Sequence, residues 1–231
     1  MGDAAEQEQE EARVRALYGE LAPLYDALYP TLHRYGPRAA RFLEAAVRPG
    51  ARVLDLGCGS GQLTRDLPAD VQVVGLDLAE PMLALARAGR PAGLYRAHSF
   101  LQPVPAELGR FDVALALGCL DFCADLPRAL SHLAAALRPG ARALVSVLER
   151  RAGLPGHEEA RRVLRALEPP VTLYFWSFAH CAQALEAAGL QPLGYAHAPA
   201  FDSEVEGLTL HYGFWELQRA CSPAVPASEQ G

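Results

Sequence analysis

The stretch VLDLGCGSGQL, residues 53–63, sets Asp55 two positions ahead of three glycines at alternate places, Gly57, Gly59 and Gly61. Glycines lack a Cβ, so this backbone can turn sharply and come into direct contact with a ligand. A helix expected to start near Gly61 would add unpaired N–H groups at its first turn. In the dinucleotide fingerprint GxGxxG, a turn of this kind carries a pyrophosphate. Here the third glycine arrives one residue early, and Gln62 stands where the fingerprint needs it. A carboxylate just ahead of the turn is also poorly placed against a diphosphate and suits a cationic ligand better. A second carboxylate, Asp77, closes the next apolar run, VQVVGLD.

Composition removes several chemistries. The 231 residues contain no Lys, Ile or Asn, so every basic side chain is Arg. Without Lys there is neither a Walker-type phosphate loop nor a Schiff-base nucleophile. A net charge of −6 argues against a duplex-binding footprint, so no nucleic-acid partner is expected. The five cysteines (58, 119, 123, 181, 221) form no CxxC pair and no zinc-type spacing, and no metal is expected. The only GxSxG-like text, GCGSGQ, places Ser60 inside the glycine turn rather than on a nucleophile elbow. No apolar run approaches a membrane span, and MGDAAEQEQEEAR has no apolar core of a signal peptide. A cytoplasmic protein with no membrane partner is the expectation.

The elements that must position these residues alternate. Val14, Leu17, Tyr18, Leu21, Tyr25, Leu28 and Tyr29 recur at helical steps, punctuated by Pro23 and Pro30. A second helix is expected over 38–47. Strands follow at ARVLDLG, 71–77, 93–99, 111–117 and 141–148, with helices over 79–89 and 126–137. After the fifth strand, 157–168 reads as a helix in an insertion, PPVTLYFWS as an aromatic connector and 177–189 as a helix. LQPLGYA and LTLHYGFWELQ then read as an antiparallel pair joined by a loop over 198–206. The fold class is therefore α/β: a Rossmann-like, seven-stranded, mostly parallel sheet with helices on both faces and a terminal antiparallel hairpin. The expected organisation is a flexible segment 1–12 and one domain 13–220, followed by a disordered tail 221–231. Within the domain lie a helical lid 13–48, a cofactor core 51–148 and an insertion 149–177.

DLGCGSG, Asp77 at the end of VVGLD, FDVALALGCLD and LRPGARALVSV occur in the order that resembles the class I S-adenosylmethionine (SAM)-dependent methyltransferase family. The likeness runs from about Tyr18 to the final strand. It implies SAM as cofactor, with Gly57, Gly59 and Gly61 against its methionine and ribose parts and Asp55 orienting the turn and the amino group. It further implies that Asp77 accepts both ribose hydroxyls with its two oxygens, although a carboxylate there could instead cap the helix over 79–89. Pro81 and Met82 would flank the adenine, and the Gly118 backbone would meet the methionine amino group. The aspartate usual after the third strand is missing. Ser99 stands nearest to that position, with Phe100 beside it to stack.

The sulfonium methyl is already electrophilic, so the protein mainly has to align an acceptor and, where needed, remove a proton. The resemblance gathers Tyr18, Tyr25, Tyr29, His33, Asp121, Phe122 and TLYFWS with Trp176 around the acceptor. The candidates for catalysis are Tyr18, Tyr25 and Asp121, and those for acceptor contact are Tyr18, Tyr25, Asp121, Phe122 and Trp176. Plain core packing is the competing account of each aromatic. Asp121 could orient an amine or hydroxyl, or cap the helix near 125; His180 and His211 are possible bases. Subclasses that need Asn, Lys or a Pro-Cys nucleophile are absent from this chain. A small-molecule O-, N-, S- or C-methyltransferase with a moderately apolar or aromatic acceptor remains, its oligomeric state open. The alternatives are a SAM-binding module without catalysis and an NAD-dependent oxidoreductase. The latter would need Gly at 62 and a catalytic constellation of its own.

Overall fold

In a computed structural model, residues 2–165, 167–203 and 207–221 are described, without the side chains of 2–6, 29–32, 203 and 208. Helices α1 (Gly2–Leu32) and α2 (Gly36–Ala46) precede β1 (Arg52–Leu56), β2 (Gln72–Asp77), α3 (Glu80–Gly89), β3 (Leu94–Ala97) and β4 (Phe111–Ala116). Then come α4 (Leu126–Ala136), β5 (Leu137–Glu149), β6 (Arg161–Leu164), β7 (Val171–Trp176), α5 (Phe178–Ala187), β8 (Leu190–Ser203) and β9 (Leu208–Arg219).

The seven expected strands form one sheet in the order β3-β2-β1-β4-β5-β9-β8, the first five parallel and β9 antiparallel to both neighbours. The parallel strands read as continuous apolar runs because helices cover both faces, and Val53, Leu54, Ala114, Leu115, Ala143 and Leu144 are fully buried. One large apolar cluster lies under α4 and α5, and the other under α1 and α2. Five parallel strands put their C-terminal ends on one edge, where an open α/β sheet binds its ligand.

The chain departs from expectation in five places. Residues 2–12, expected as a flexible segment apart from the domain, are helical and form the first turns of α1; Glu, Gln and Ala dominate there and propagate a helix well. Pro23 lies within that helix rather than ending it. After Gly61 the chain makes successive three-residue turns instead of a helix, with Thr64 N–H donating to Gly61 O at 3.2 Å and Leu67 N–H to Thr64 O at 3.4 Å. The segment 157–168, expected as a helix, contains β6, and the aromatic connector is β7. The two pair antiparallel from Arg161–Tyr174 to Leu164–Val171, and this pairing overrides the local helix preference of the segment. These two extra strands bring the sheet to nine, with β7 joining the end of β5 at Leu148–Phe175 and Glu149–Trp176. β8 also continues through most of the expected loop, to Ser203. The tail 222–231, expected to be disordered, lies outside the described residues, as does the Tyr29 side chain.

Candidate functional site

A cavity of about 900 Å³, its open mouth included, lies over the C-terminal ends of β1, β2 and β4 and under α1. Its floor is the glycine turn. Gly57, Gly59 and Gly61 take φ of 70°, 52° and 74°, the left-handed region that other residues enter only with strain. Gly57 and Cys58 N–H both donate to Leu76 O, at 2.7 and 3.1 Å, which fastens the turn to the end of β2. Gly59 N–H donates to Asp77 Oδ2 at 2.8 Å and Ala79 N–H to Asp77 Oδ1 at 2.9 Å. Burial raises the Asp77 pKa, and these backbone donors oppose the rise. Each carboxylate oxygen keeps a second lone pair, and Asp77 lines the cavity, so it can accept from a ligand as well as hold the turn. Ala79 at the start of α3 has no side-chain cap, so Asp77 serves the α3 entry through one oxygen only.

Asp55 stands behind the turn. It is 2% exposed, accepts from Thr64 Oγ1 at 3.1 Å and is not part of the cavity wall. Burial pushes its pKa up to about 7, the Thr64 hydroxyl opposes this, and the nearby Asp77 charge adds to it. It positions the turn and has no direct contact with the cavity. Gly61 likewise packs away from the opening, where a Cβ would sit 3.1 Å from Ala86 Cβ. Met82 is fully buried beneath Gly59 and Pro81 is exposed in the first turn of α3, so neither lines the cavity.

Ser99 also turns away. Its hydroxyl donates to Glu11 Oε1 at 2.7 Å and accepts from Leu101 N–H at 3.0 Å, leaving His98 and Phe100 on the cavity side. Gly118, with φ of 72°, is on the wall; its N–H is taken by Ser146 Oγ at 2.9 Å, which leaves the carbonyl as the group able to accept from an amine. Tyr18, Tyr25 and Phe122 line the cavity as expected. Trp176 does not; with His180, Arg150 and Arg161 it faces a separate hollow beside α5. Its outward placement follows from strand alternation, since Phe175 points the other way into the core.

Asp121 is 5% exposed and lies behind the wall between Leu120 and Phe122. Tyr212, from β9, donates its phenol to Asp121 Oδ2, and Oδ1 has no partner. Burial pushes Asp121 to about 8, with the Tyr212 bond opposing, so the side chain is neutral at pH 7. The folded protein therefore keeps a proton that the unfolded chain has released over the window from about pH 4 to 8. Stability is fully present below that window and is lost as pH rises through it. Asp121→Asn keeps the acceptor for Tyr212 but removes the titration. The variant is expected to show a flatter fall of Tm between pH 5 and 8 than the wild type, and equal slopes would rule out this account of Asp121.

Several residues of the site carry no motif. Asp26 in α1 accepts from Ser60 Oγ at 2.5 Å, from Gln62 Nε2 at 2.6 Å and from Arg65 at 2.8 Å, which latches α1 onto the glycine turn. The only hint in the sequence is YGELAPLYD itself. Asp26→Ala is expected to speed proteolysis within α1 without lowering global Tm by more than a few degrees, because the pair is 33–40% exposed. Cys58, Cys119, Leu63 and Tyr35 also line the cavity. Their types give no sign of it.

A family model described as a methyltransferase domain matches residues 30–194. The chain is 33% identical over 178 residues to the ubiquinone biosynthesis O-methyltransferase of Bordetella pertussis, covering 72% of this chain and 73% of that one. It is 28% identical over 189 residues to the biotin biosynthesis bifunctional protein BioHC of Cellvibrio japonicus, covering 80% of this chain but only 36% of that larger protein. The fold is that of the 1,6-didemethyltoxoflavin-N1-methyltransferase of Burkholderia thailandensis, with a TM-score of 0.64, 24% identity and 91% and 88% of the two chains covered.

Proposed function

Since this chain belongs to the class I SAM-dependent methyltransferase family, we propose that it transfers a methyl group from SAM to a small-molecule acceptor held between α1 and the glycine turn. The observation that carries this is the meeting of Asp77 and the positive-φ glycine turn on a cavity whose wall contains no arginine. That donor set fits a cationic sulfonium and a ribose. It does not fit a pyrophosphate, which would face two carboxylates, Asp77 and Glu11, and no cation.

Asp77 would accept the ribose hydroxyls, Gly57 and Gly59 would let the backbone close on the ligand, and the Gly118 carbonyl would accept from its amino group. Phe100 would stack on the adenine, with Met82 supporting Gly59 from beneath. Tyr18, Tyr25 and Phe122 would border the acceptor. Bound there, SAM would supply an electrophilic methyl whose sulfur keeps the C–S electron pair as the acceptor's lone pair takes the carbon, and an acceptor O–H or N–H would give up its proton to solvent at the cavity mouth. The protein's part is alignment of the acceptor and shielding of the reacting atoms, which the half-buried Tyr18 and Tyr25 would perform. The B. pertussis relative, named for an O-methylation in ubiquinone biosynthesis, supports a small-molecule acceptor. Among the described residues no helix is long and apolar enough to cross a membrane. We place the reaction in the cytoplasm, in keeping with five cysteines that stand as free thiols.

Calorimetric titration with SAM, S-adenosylhomocysteine and NAD tests the reading. Micromolar binding of the first two and none of NAD is expected. Binding of NAD alone would replace it with an oxidoreductase, and binding of SAM without turnover on any acceptor would replace it with a non-catalytic module.

A further inference from the structure

The wall facing the glycine turn is a continuous run of rings. Phe122 meets Tyr18 edge-on with centroids 5.9 Å apart, Tyr18 meets Tyr25 at 6.1 Å, Tyr25 meets His33 at 6.2 Å and His33 meets Tyr35 at 5.1 Å. All five line the cavity. Faces and edges presented at this spacing match a flat π-system and add to the apolar area it buries.

The charges on the same wall have one sign. Burial lowers His33 to about 4, so the imidazole is neutral at pH 7, and it lowers His98 as well. Burial also raises the Tyr18 phenol and the Cys58 and Cys119 thiols, so these too are neutral. The remaining charged side chains on the wall are the carboxylates Glu11 and Asp77. No arginine lines the cavity, the chain has no lysine, and the residues outside the description contain no arginine either. Of the arginines near the cavity, Arg34 pairs with Asp202, Arg65 with Asp26, and Arg38 lies over the Phe214 ring, while Arg15 and Arg128 line an adjoining hollow that shares Glu11 with this cavity.

We infer that the acceptor enters this cavity as an uncharged, flat aromatic molecule carrying a neutral O–H or N–H, and that carboxylates and phosphate-bearing carriers are turned away. With Asp77 taken by the cofactor's ribose, an anionic acceptor would shed its water among neutral rings beside the Glu11 carboxylate, with no side-chain cation to replace the lost hydration. The specificity is thus set by repulsion and desolvation as much as by fit. The rings select shape; the missing cation selects charge.

This inference rests on the methyltransferase reading, and one experiment separates the two. The protein saturated with S-adenosylhomocysteine is titrated at pH 7.5 with 2-naphthol, 2-naphthamide, 2-naphthoate and 2-naphthyl phosphate, with binding followed by calorimetry. The two neutral compounds are expected to bind, and the two anions to bind at least about 100-fold more weakly. Anions that bind as tightly as 2-naphthamide would overturn the charge selection. Failure of all four naphthalenes, with S-adenosylhomocysteine bound, would overturn the aromatic class. Failure of S-adenosylhomocysteine itself to bind would instead remove the methyltransferase reading beneath both.

Discussion

Replacing Asp77 with alanine is expected to weaken S-adenosylhomocysteine binding by about 1–3 kcal/mol, roughly 5- to 150-fold, through the loss of hydrogen bonds to a charged acceptor. Two contributions act together. The carboxylate is the ligand-side acceptor at the end of β2, and it also holds Gly59 N–H and Ala79 N–H at 2.8 and 2.9 Å. Its removal therefore loosens the floor of the cavity as well as taking away a contact. Asp77→Asn separates the two contributions. An amide keeps one acceptor oxygen but offers N–H groups where a hydroxyl would donate, so its loss of affinity is expected to fall between wild type and alanine with a smaller change in Tm. Calorimetry on all three proteins decides the point; an alanine variant that binds as the wild type does would remove Asp77 from the ligand's cradle.

The largest loss of stability is expected from Gly57→Ala. A Cβ at position 57 would stand 2.1 Å from Cys119 Cβ and 2.8 Å from its sulfur, on a backbone with φ of +70°. The left-handed conformation costs an L-residue about 1–2 kcal/mol, and forced overpacking costs about 1–3 kcal/mol more. Together these are a large share of the roughly 5–15 kcal/mol that holds an ordinary domain together. Urea unfolding measures the change. The double variant Gly57→Ala with Cys119→Gly removes the clash but not the dihedral strain, so it is expected to recover part of the stability relative to Gly57→Ala in a double-mutant cycle. Absence of any coupling between the two positions would show that the clash is relieved by other movements. Gly59→Ala is expected to be milder in stability, since its nearest neighbour would be the flexible end of Met82 at 3.2 Å.

Cys119 marks how far the chain alone could be read. Three glycines at alternate positions announce a sharp turn, and Asp77 at the end of an apolar run announces a carboxylate beside it. Both follow from local chemistry, and both lie on the cavity floor. Nothing in FDVALALGCLD says that the Cys119 side chain fills the space in front of Gly57, because that contact joins residues 62 positions apart and depends on the register of β1 against β4. The same limit explains β6. HEEARRVLRALE has helical composition, and only the nearby β7 makes a strand of its middle. Asp26 and Trp176 illustrate the two directions of the difficulty. Asp26 carries no signal in the sequence and is the latch of α1, whereas Trp176 reads as a pocket aromatic and faces another hollow. Side-chain direction at such positions depends on partners that periodicity does not name.

The place of β9 has a consequence for how the molecule is made. Arg142 pairs with Gln218 and Leu148 with Tyr212, so the partner of β5 lies more than sixty residues downstream of it. While the ribosome is still adding residues between 150 and 207, β5 has an unoccupied edge of backbone donors and acceptors along Arg142–Leu148, the kind of edge that recruits foreign strands. In the finished chain β9 covers this edge, and Pro192 and Pro199 interrupt the outermost strand, β8, where their missing N–H groups discourage further pairing. The nascent chain therefore leaves the β5 edge open to foreign strands until residues 208–219 emerge.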